Sequence, residues 1–327
     1  MVKFNINGEE FTFRKYKKGD ENELLPLINR NLNQKMTLDD WKWKYLDNLN
    51  SNLIIIFLNN NNQIVGQWAN VIRRGYYYGK ELSFFEGVDI FTREDYRGTG
   101  FMKLIHLLHN NFFPKKQIFY YGLPPNFFLR LYNNVHYSYK NHINFTKIQV
   151  FKKKKSNFIF NFINTLINND KNNNISIIGV TYNNKEDINN LWNRKKNELE
   201  ISTVRDWDYL NWRVLSSPVK QKLFLIKNDN RVIGFFSIFI KNRTCYITDI
   251  LILNRELNKK VINKINQICF KFKVKEIKIL ITDKSIKQYL FFDKYLVSEL
   301  INFSYFTNIK DDMLVSPYFT YNDSDFF

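Results

Sequence analysis

The sequence predicts an α+β chain, a mixed sheet with helices on its faces, built twice in tandem. Three observations carry this. Short apolar runs alternate with segments of helical period along the chain. The order strand, helix, helix, hairpin, strand, helix, strand recurs in the second half, where Arg231-Val-Ile-Gly234 occupies the place of Gln63-Ile-Val-Gly66. Finally, 327 residues exceed one ordinary domain, and with 44% of them hydrophobic each half has material for a core.

In the first half, residues 11–16 alternate as a short strand, and Asp20–Leu32 reads as a helix carrying Leu24, Leu27 and Ile28 inward. Thr37 with Asp40 three residues on has the spacing of a capping box, so a second helix starts there with Leu38, Trp41 and Tyr45 on one face. Leu53–Leu58 and Ile64–Ile72, split by the turn at Asn59–Asn62, form an antiparallel hairpin. Glu81–Phe91 is a third strand, running into a turn at Thr92–Gly100. Phe101, Leu104, Ile105, Leu108 and Phe112 then recur at helical spacing. Gln117–Gly122 is a strand, Asn126–Asn134 a short helix, and Tyr137–Phe151 supplies the closing strands.

Lys152–Lys155 opens a basic linker with a bridging amphipathic helix around Phe158, Phe162 and Leu166, so the expected division is 1–151, a linker at 152–174, and 175–327. The second half repeats the rhythm. A strand lies near Ile175–Tyr182, helices around Ile188–Lys196 and Asp206–Val214, and an antiparallel pair is split at Asn228–Asn230. Cys245–Leu253 is a strand, Leu257–Phe272 a helix, and Glu276–Ile281 a strand.

The 49 Lys and Arg against 31 Asp and Glu give a formal charge of +18, suited to polyanions including coenzyme A, nucleic acid and anionic membranes. No helix-turn-helix spacing, zinc-finger set or RNA-binding aromatic motif accompanies it, so no specific nucleic-acid partner is expected. Cys245 and Cys269 are too few for a disulfide scaffold or a metal cluster, and no metal is expected. The amino terminus has no apolar signal core, and no apolar stretch of roughly 18 residues occurs, so a soluble, cytoplasmic chain is expected.

The chemistry concentrates at Arg97-Gly-Thr-Gly100. A strand feeding a glycine-rich turn and a helix presents unpaired backbone N–H groups at the positive end of the helix dipole, which suits a pyrophosphate. Glycines at 98 and 100 remove Cβ atoms where phosphate oxygens approach, and Arg97 adds charge-assisted contact.

The stretch Val88-Asp-Ile-Phe-Thr-Arg-Glu-Asp-Tyr-Arg-Gly-Thr-Gly-Phe-Met-Lys-Leu104 resembles the central motif of the GNAT superfamily of acyl-CoA N-acyltransferases. The resemblance covers nearly all of the first half and more faintly the second. It implies two tandem GNAT-like domains, and acetyl-CoA held by Ile90, Phe91, Arg97, Gly98, Thr99, Gly100, Phe101 and Met102. Met102 stands where the family usually has Gly or Ala, and Glu94 where it commonly has Pro. Leu131-Tyr-Asn-Asn-Val-His-Tyr137 is similar to the family's later segment, in which Tyr132 takes the place of the tyrosine that protonates the departing thiolate; His136 replaces a usual glycine. An amine nucleophile also needs a base, for which Glu86 and Asp89 on the preceding strand are the candidates, Glu86 narrowly favoured.

His106 and His109 read as surface residues, and Trp41, Trp43, Trp207 and Trp212 as core rather than an acceptor groove. Where the second half would carry a glycine turn it has Leu253-Asn-Arg-Glu-Leu-Asn-Lys-Lys260, so it binds no coenzyme on this reading. The arrangement is similar to tandem GNAT proteins with one degenerate half. It implies acetyl transfer to a primary amine of a small acceptor, an amino sugar or nucleotide-linked amino sugar. The alternatives are a Fem-like aminoacyl transferase and a catalytically silent ligand-binding scaffold.

Overall fold

The structure is a computed structural model, and it describes residues 1–50, 52–100, 111–112, 118–122, 143–154, 175–283, 286–288, 290, 295–307 and 317–323. Contacts divide the chain into two units. The first comprises Met1–Gly75, Glu81–Thr146 and Asn302–Met313, the second Tyr76–Lys80, Lys147–Ile301 and Leu314–Phe327. This differs from boundaries at 151 and 175, because strands near the middle and the end of the chain are shared out between the units.

The first unit opens on a hairpin, β1 (Val2–Ile6) and β2 (Glu9–Lys15). Asn7 and Gly8 at its tip have φ of 54° and 86°, the paired left-handed values of a turn whose twist matches that of the strands. The strand at 2–6 escaped the sequence reading. Helix α1 (Glu21–Leu32) ends on the left-handed Asn33, and α2 (Leu38–Tyr45) starts on the capping box of Thr37 and Asp40. Then come β3 (Leu53–Leu58), β4 (Ile64–Tyr77), β5 (Lys80–Thr92) and β6 (Ile118–Gly122). The sheet order is β1-β2-β3-β4-β5-β6, with β5 and β6 parallel. One face packs Phe11, Phe13, Ile55, Phe57, Val65, Trp68 and Phe85 into a core.

The second unit takes β7 (Ile143–Lys154) through its residues from 147 on, then β8 (Ile175–Gly179), α3 (Lys185–Lys195) and β9 (Ile201–Thr203). A short helix α4 (Trp207–Leu210) relaxes into a π-turn at Asn211–Leu215, where one continuous helix is expected from sequence. There follow β10 (Lys222–Asn228), β11 (Arg231–Lys241), β12 (Thr244–Ile252), α5 (Asn258–Lys271), β13 (Glu276–Leu280), β14 (Leu296–Thr307) and β15 (Pro317–Tyr318). Val261, Ile262, Ile265 and Cys269 form the apolar stripe that buries α5 against Ile247, Ile250, Ile277 and Ile279. Trp41, Trp43, Trp207 and Trp212 are all buried, as core residues. No helix among the described residues is long and apolar enough to cross a membrane.

The two units repeat one plan. In each, a parallel pair (β5 with β6, β12 with β13) is continued by an antiparallel strand from elsewhere in the chain. Ser304–Thr307 of β14 pairs with β6, and Val150–Lys154 of β7 pairs with β13. The repeated Ile-Val-Gly and Val-Ile-Gly segments have the same physical reason. A Cβ on Gly66 would stand 2.7 Å from the carbonyl oxygen of Phe91, and one on Gly234 would stand 2.4 Å from that of Leu251. Each glycine lets the backbone of the next strand come close at the same point of the sheet.

Candidate functional site

The parallel pairing of β5 with β6 runs from Ser83 opposite Ile118 to Glu86 opposite Tyr121 and then stops, while β5 continues to Thr92. β6 is described as far as Gly122, so Gly87–Thr92 of β5 run on past the last described pair. At Gly87 a Cβ would lie 2.1 Å from the Tyr120 hydroxyl oxygen.

Within Gly87–Thr92, Asp89 has φ of 45°. This left-handed backbone is uncommon for any residue with a Cβ, and inside a strand it marks a bulge that re-aims the local N–H and C=O groups. The Asp89 carbonyl oxygen accepts from Gln67 Nε2 at 2.9 Å. Its carboxylate accepts from Lys44 Nζ at 2.6 Å, Tyr45 Oη at 2.6 Å and Gln34 Nε2 at 3.2 Å. Burial pushes this carboxyl up, but the Lys44 charge and these hydrogen bonds outweigh it and hold Asp89 below its ordinary value.

Past β5 the chain is pinned and then opened. The Arg93 N–H donates to the Val65 carbonyl at 2.7 Å, and its guanidinium holds Asp95 and lies 5.0 Å over the Tyr96 ring. Glu94–Tyr96 is a single 3-10 turn, Tyr96 Oη accepts from Asn59, and Thr99 Oγ1 donates back to the Tyr96 carbonyl at 2.8 Å. Gly98 and Gly100 follow with φ of 82° and 106°, values that cost a residue with a Cβ. Gly98 is exposed, with no atom within 4 Å of its Cβ position. Among the described residues, its N–H and that of Gly100 meet no backbone carbonyl. Arg97 is exposed beside them. The turn thus leaves the N–H groups of Gly98 and Gly100 beside the exposed Arg97, while those of Arg97 and Thr99 donate to the Glu94 and Tyr96 carbonyls.

Of the sequence-predicted coenzyme contacts, Ile90, Phe91, Arg97, Gly98, Thr99 and Gly100 thus line the end of β5 and its turn. Phe101, Met102, Tyr132, His106, His109 and His136 lie outside the described residues. The candidate bases Glu86 and Asp89 are both buried and both engaged, Glu86 by Arg73 of β4 and Asp89 by Lys44 of α2. Sequence reasoning passed over the partners Lys44, Tyr45, Gln34 and Arg73. Lys44 and Tyr45 stand three and four residues after Trp41, on the buried face of α2, and that spacing was the available signal.

The equivalent place in the second unit is closed. β12 and β13 pair from Thr244 opposite Glu276 to Ile247 opposite Ile279, and the register of β12 slips opposite Ser237 and Ile238. Asp249 follows, fully buried and held by Arg205, but its Oδ1 accepts the next N–H, that of Ile250, at 2.9 Å. The chain segment 317–323 then covers it. Asp323 pairs with the same Arg205, the Tyr318 ring lies 4.7 Å from its guanidinium, and Asn322 Nδ2 reaches Ser237 Oγ. Burial, with the neighbouring Asp323 charge, pushes Asp249 above its ordinary value despite Arg205. Arg255–Leu257 is a 3-10 turn capped by Asn254, with no glycine. Among the described residues no group of three or more His, Cys, Asp or Glu could hold a metal.

Comparison with known proteins agrees with this geometry at the level of fold. A conserved protein of unknown function from Enterococcus faecalis V583, described as a probable N-acyltransferase, superposes with a TM-score of 0.64 at 15% identity, over 90% of this chain and 72% of that one. A GCN5-related N-acetyltransferase from Anabaena variabilis gives 0.62 at 12% identity, over 90% and 72%. N-myristoyltransferase of Saccharomyces cerevisiae with bound myristoyl-CoA gives 0.58 at 11%, over 92% and 80%. No family model matches the chain, and no curated protein matches it in sequence. The chain shares its fold with these N-acyltransferase structures, over about nine-tenths of its length.

Proposed function

We propose that the first unit is an acyl-CoA-dependent N-acyltransferase that moves an acetyl group to a primary amine. The observation that supports it is the conjunction of the left-handed Asp89 near the end of β5 and the exposed glycine turn at Arg97–Gly100, with a glycine-free turn and a buried, covered Asp249 at the counterpart in the second unit. In this reading Arg97 and the N–H groups of Gly98–Met102 hold the pyrophosphate, and the acyl-pantetheine arm runs along the end of β5. The N–H groups of β5 around Ile90 and Phe91 polarise the thioester carbonyl. The amine attacks directly, its nitrogen bonding to the carbonyl carbon as the carbon–sulfur bond breaks; Tyr132 gives the departing thiolate its proton, and the proton the nitrogen sheds passes through water to restore the tyrosine. Holding donor and acceptor in one cleft supplies much of the rate.

For the acceptor we favour an amino sugar. A glucosamine N-acetyltransferase region of a fungal multi-domain protein has this fold, with a TM-score of 0.61 at 12% identity over 90% of this chain and 38% of that one. A second donor reading has its own observation: an open cleft of about 680 Å³ in the first unit, lined by the apolar Leu46, Leu49, Ile72 and Phe85 and by the polar Lys15, Asn48, Asn50 and Asn52, offers apolar surface to a longer acyl chain.

The test is calorimetric titration of acetyl-CoA, then of octanoyl- and myristoyl-CoA, into the full chain, followed by turnover with glucosamine. Saturable binding that is lost in Arg97→Glu supports the donor site. Tighter binding with chain length assigns the cleft to the acyl group. Absence of binding at millimolar coenzyme overturns the reading and leaves the aminoacyl-transferase and scaffold alternatives.

A further inference from the structure

We propose that the buried Lys44–Asp89 ion pair, with Tyr45 and Gln34, is a clamp that holds the left-handed bulge of β5, and so presents an N–H group of this strand to the substrate carbonyl. The inference rests on the acyltransferase reading of the first unit.

The backbone comes first. A left-handed φ of 45° at a non-glycine residue within a strand is unfavourable and persists only where surrounding structure imposes it. Three donors from two helical segments converge on the Asp89 carboxylate, Lys44 and Tyr45 from α2 and Gln34 from just beyond α1, and Gln67 of β4 holds the Asp89 carbonyl. The Lys44 and Asp89 side chains are 6% and 2% exposed, so water does not screen the pair.

The second unit is a control within the same chain. Asp249 occupies the corresponding place, two residues before the same kind of glycine contact, and it too is buried against a cation, Arg205. Its φ is not left-handed, and its own carboxylate takes the following N–H, that of Ile250. In the first unit the carboxylate is drawn to α2 instead. Among the described residues, no bond runs from the Ile90 N–H to Asp89. The same side chain thus closes the backbone donor in one unit and leaves it out of its own reach in the other. Lys44, Tyr45 and Gln34 are positioning residues in this scheme: they act through the conformation of Asp89.

The decisive readout is the infrared carbonyl band of acetyl-CoA isotope-labelled at the thioester carbonyl carbon, because a hydrogen bond to that oxygen lowers its frequency and folding alone does not. The full chain is compared with Lys44→Met/Asp89→Gly, in which both charges are gone and glycine tolerates the left-handed backbone without enforcing it. The expected result is a lowered band in the wild type, loss of at least half of that shift in the double variant with coenzyme affinity within threefold, and retention of the shift in Lys44→Arg. Tyr45→Phe and Gln34→Ala keep the ion pair, and each should return part of the shift. A full shift in the double variant overturns the clamp, and should that variant not fold, unchanged bands in both single variants overturn it. A wild type that binds acetyl-CoA with no shift overturns this inference alone, while a wild type that binds no acetyl-CoA overturns the acyltransferase reading and this inference with it.

Discussion

Gly66→Ala is the substitution whose consequence can be worked most directly from the structure. An alanine Cβ at this position would stand 2.7 Å from the Phe91 carbonyl oxygen, 2.8 Å from Phe57 Cδ2 and 3.3 Å from the Thr92 Cα. Carbon and carbonyl oxygen pack at about 3.3 Å or more, so the β4–β5 gap must open by about 0.6 Å. The Phe57 ring can turn aside, but the Phe91 carbonyl is fixed in the backbone of β5. The cost of such overpacking is about 1–3 kcal/mol, and the rigid neighbour puts it in the upper half of that range. Gly234→Ala meets the Leu251 carbonyl at 2.4 Å and should cost the second unit as much or more. Gly179→Ala is the control. Its Cβ would meet nothing within 4 Å and its φ is not left-handed, so it should be neutral or stabilising by about 0.4–1 kcal/mol through the unfolded chain. Urea unfolding followed by tryptophan fluorescence measures all three, since each unit carries buried tryptophans. A Gly66→Ala loss below about 0.5 kcal/mol, or equal effects at positions 66 and 179, would refute the argument that close backbone approach selects glycine here.

Three further outcomes are expected. Lys44→Met leaves the Asp89 carboxylate buried without its cation and should destabilise the first unit by about 3–5 kcal/mol at neutral pH, with Lys44→Met/Asp89→Asn recovering much of the loss in the same urea assay. In the wild type the depressed Asp89 contributes stability that is complete above the unfolded carboxylate value of about 4 and is lost as pH falls through its lower folded value; in Lys44→Met the folded value rises instead, so stability should decline as pH climbs above about 4, which unfolding at a series of pH values detects. Tyr132→Phe should lower turnover about 10²-fold or more with acetyl-CoA affinity unchanged, measured by thiol release and calorimetry, and an unaltered rate removes Tyr132 from the mechanism.

Much of the plan was legible because it follows from period and turn chemistry. The capping box at Thr37, the hairpin around Asn59–Asn62 and the apolar stripe of the helix from 258 all depend on contacts within a few residues, and these the sequence displays directly. The strand at Val2–Ile6 was also signalled locally, by Asn7-Gly8 between alternating residues, and was missed because the polar members of the alternation drew attention away from Phe4 and Ile6. The shared-out closing strands carry no such signal. Nothing in Ser304–Thr307 says that it pairs with residues 119–122, since strand partnership at that separation is decided by which edge the folded sheet leaves open.

The candidate site divides along the same line. The glycine turn is a local device, in which left-handed backbone and open N–H groups are written into residues 97–100. The ion pairs are not local: Lys44 meets Asp89 across 45 positions and Arg205 meets Asp323 across 118, so a carboxylate that reads as a candidate base in isolation turns out to be engaged once the fold supplies its cation. The comparison of the units then gives the engagement a meaning that burial alone does not. Both bury an aspartate against a cation at the strand that follows the critical glycine, so the pair belongs to the shared plan of the fold. Only the direction in which the carboxylate is drawn differs, toward α2 in one and back onto its own Ile250 N–H in the other. The second unit thus differs from the first in three respects: a turn without glycine, a buried carboxylate turned onto the backbone donor beside it, and the segment 317–323 lying over it. Introducing glycines at 258 and 260, the positions that correspond to 98 and 100 when Leu251 is matched to Phe91, should alone leave acetyl-CoA binding at one site per chain, because the Asp249 carboxylate and the segment 317–323 still occupy the corresponding place.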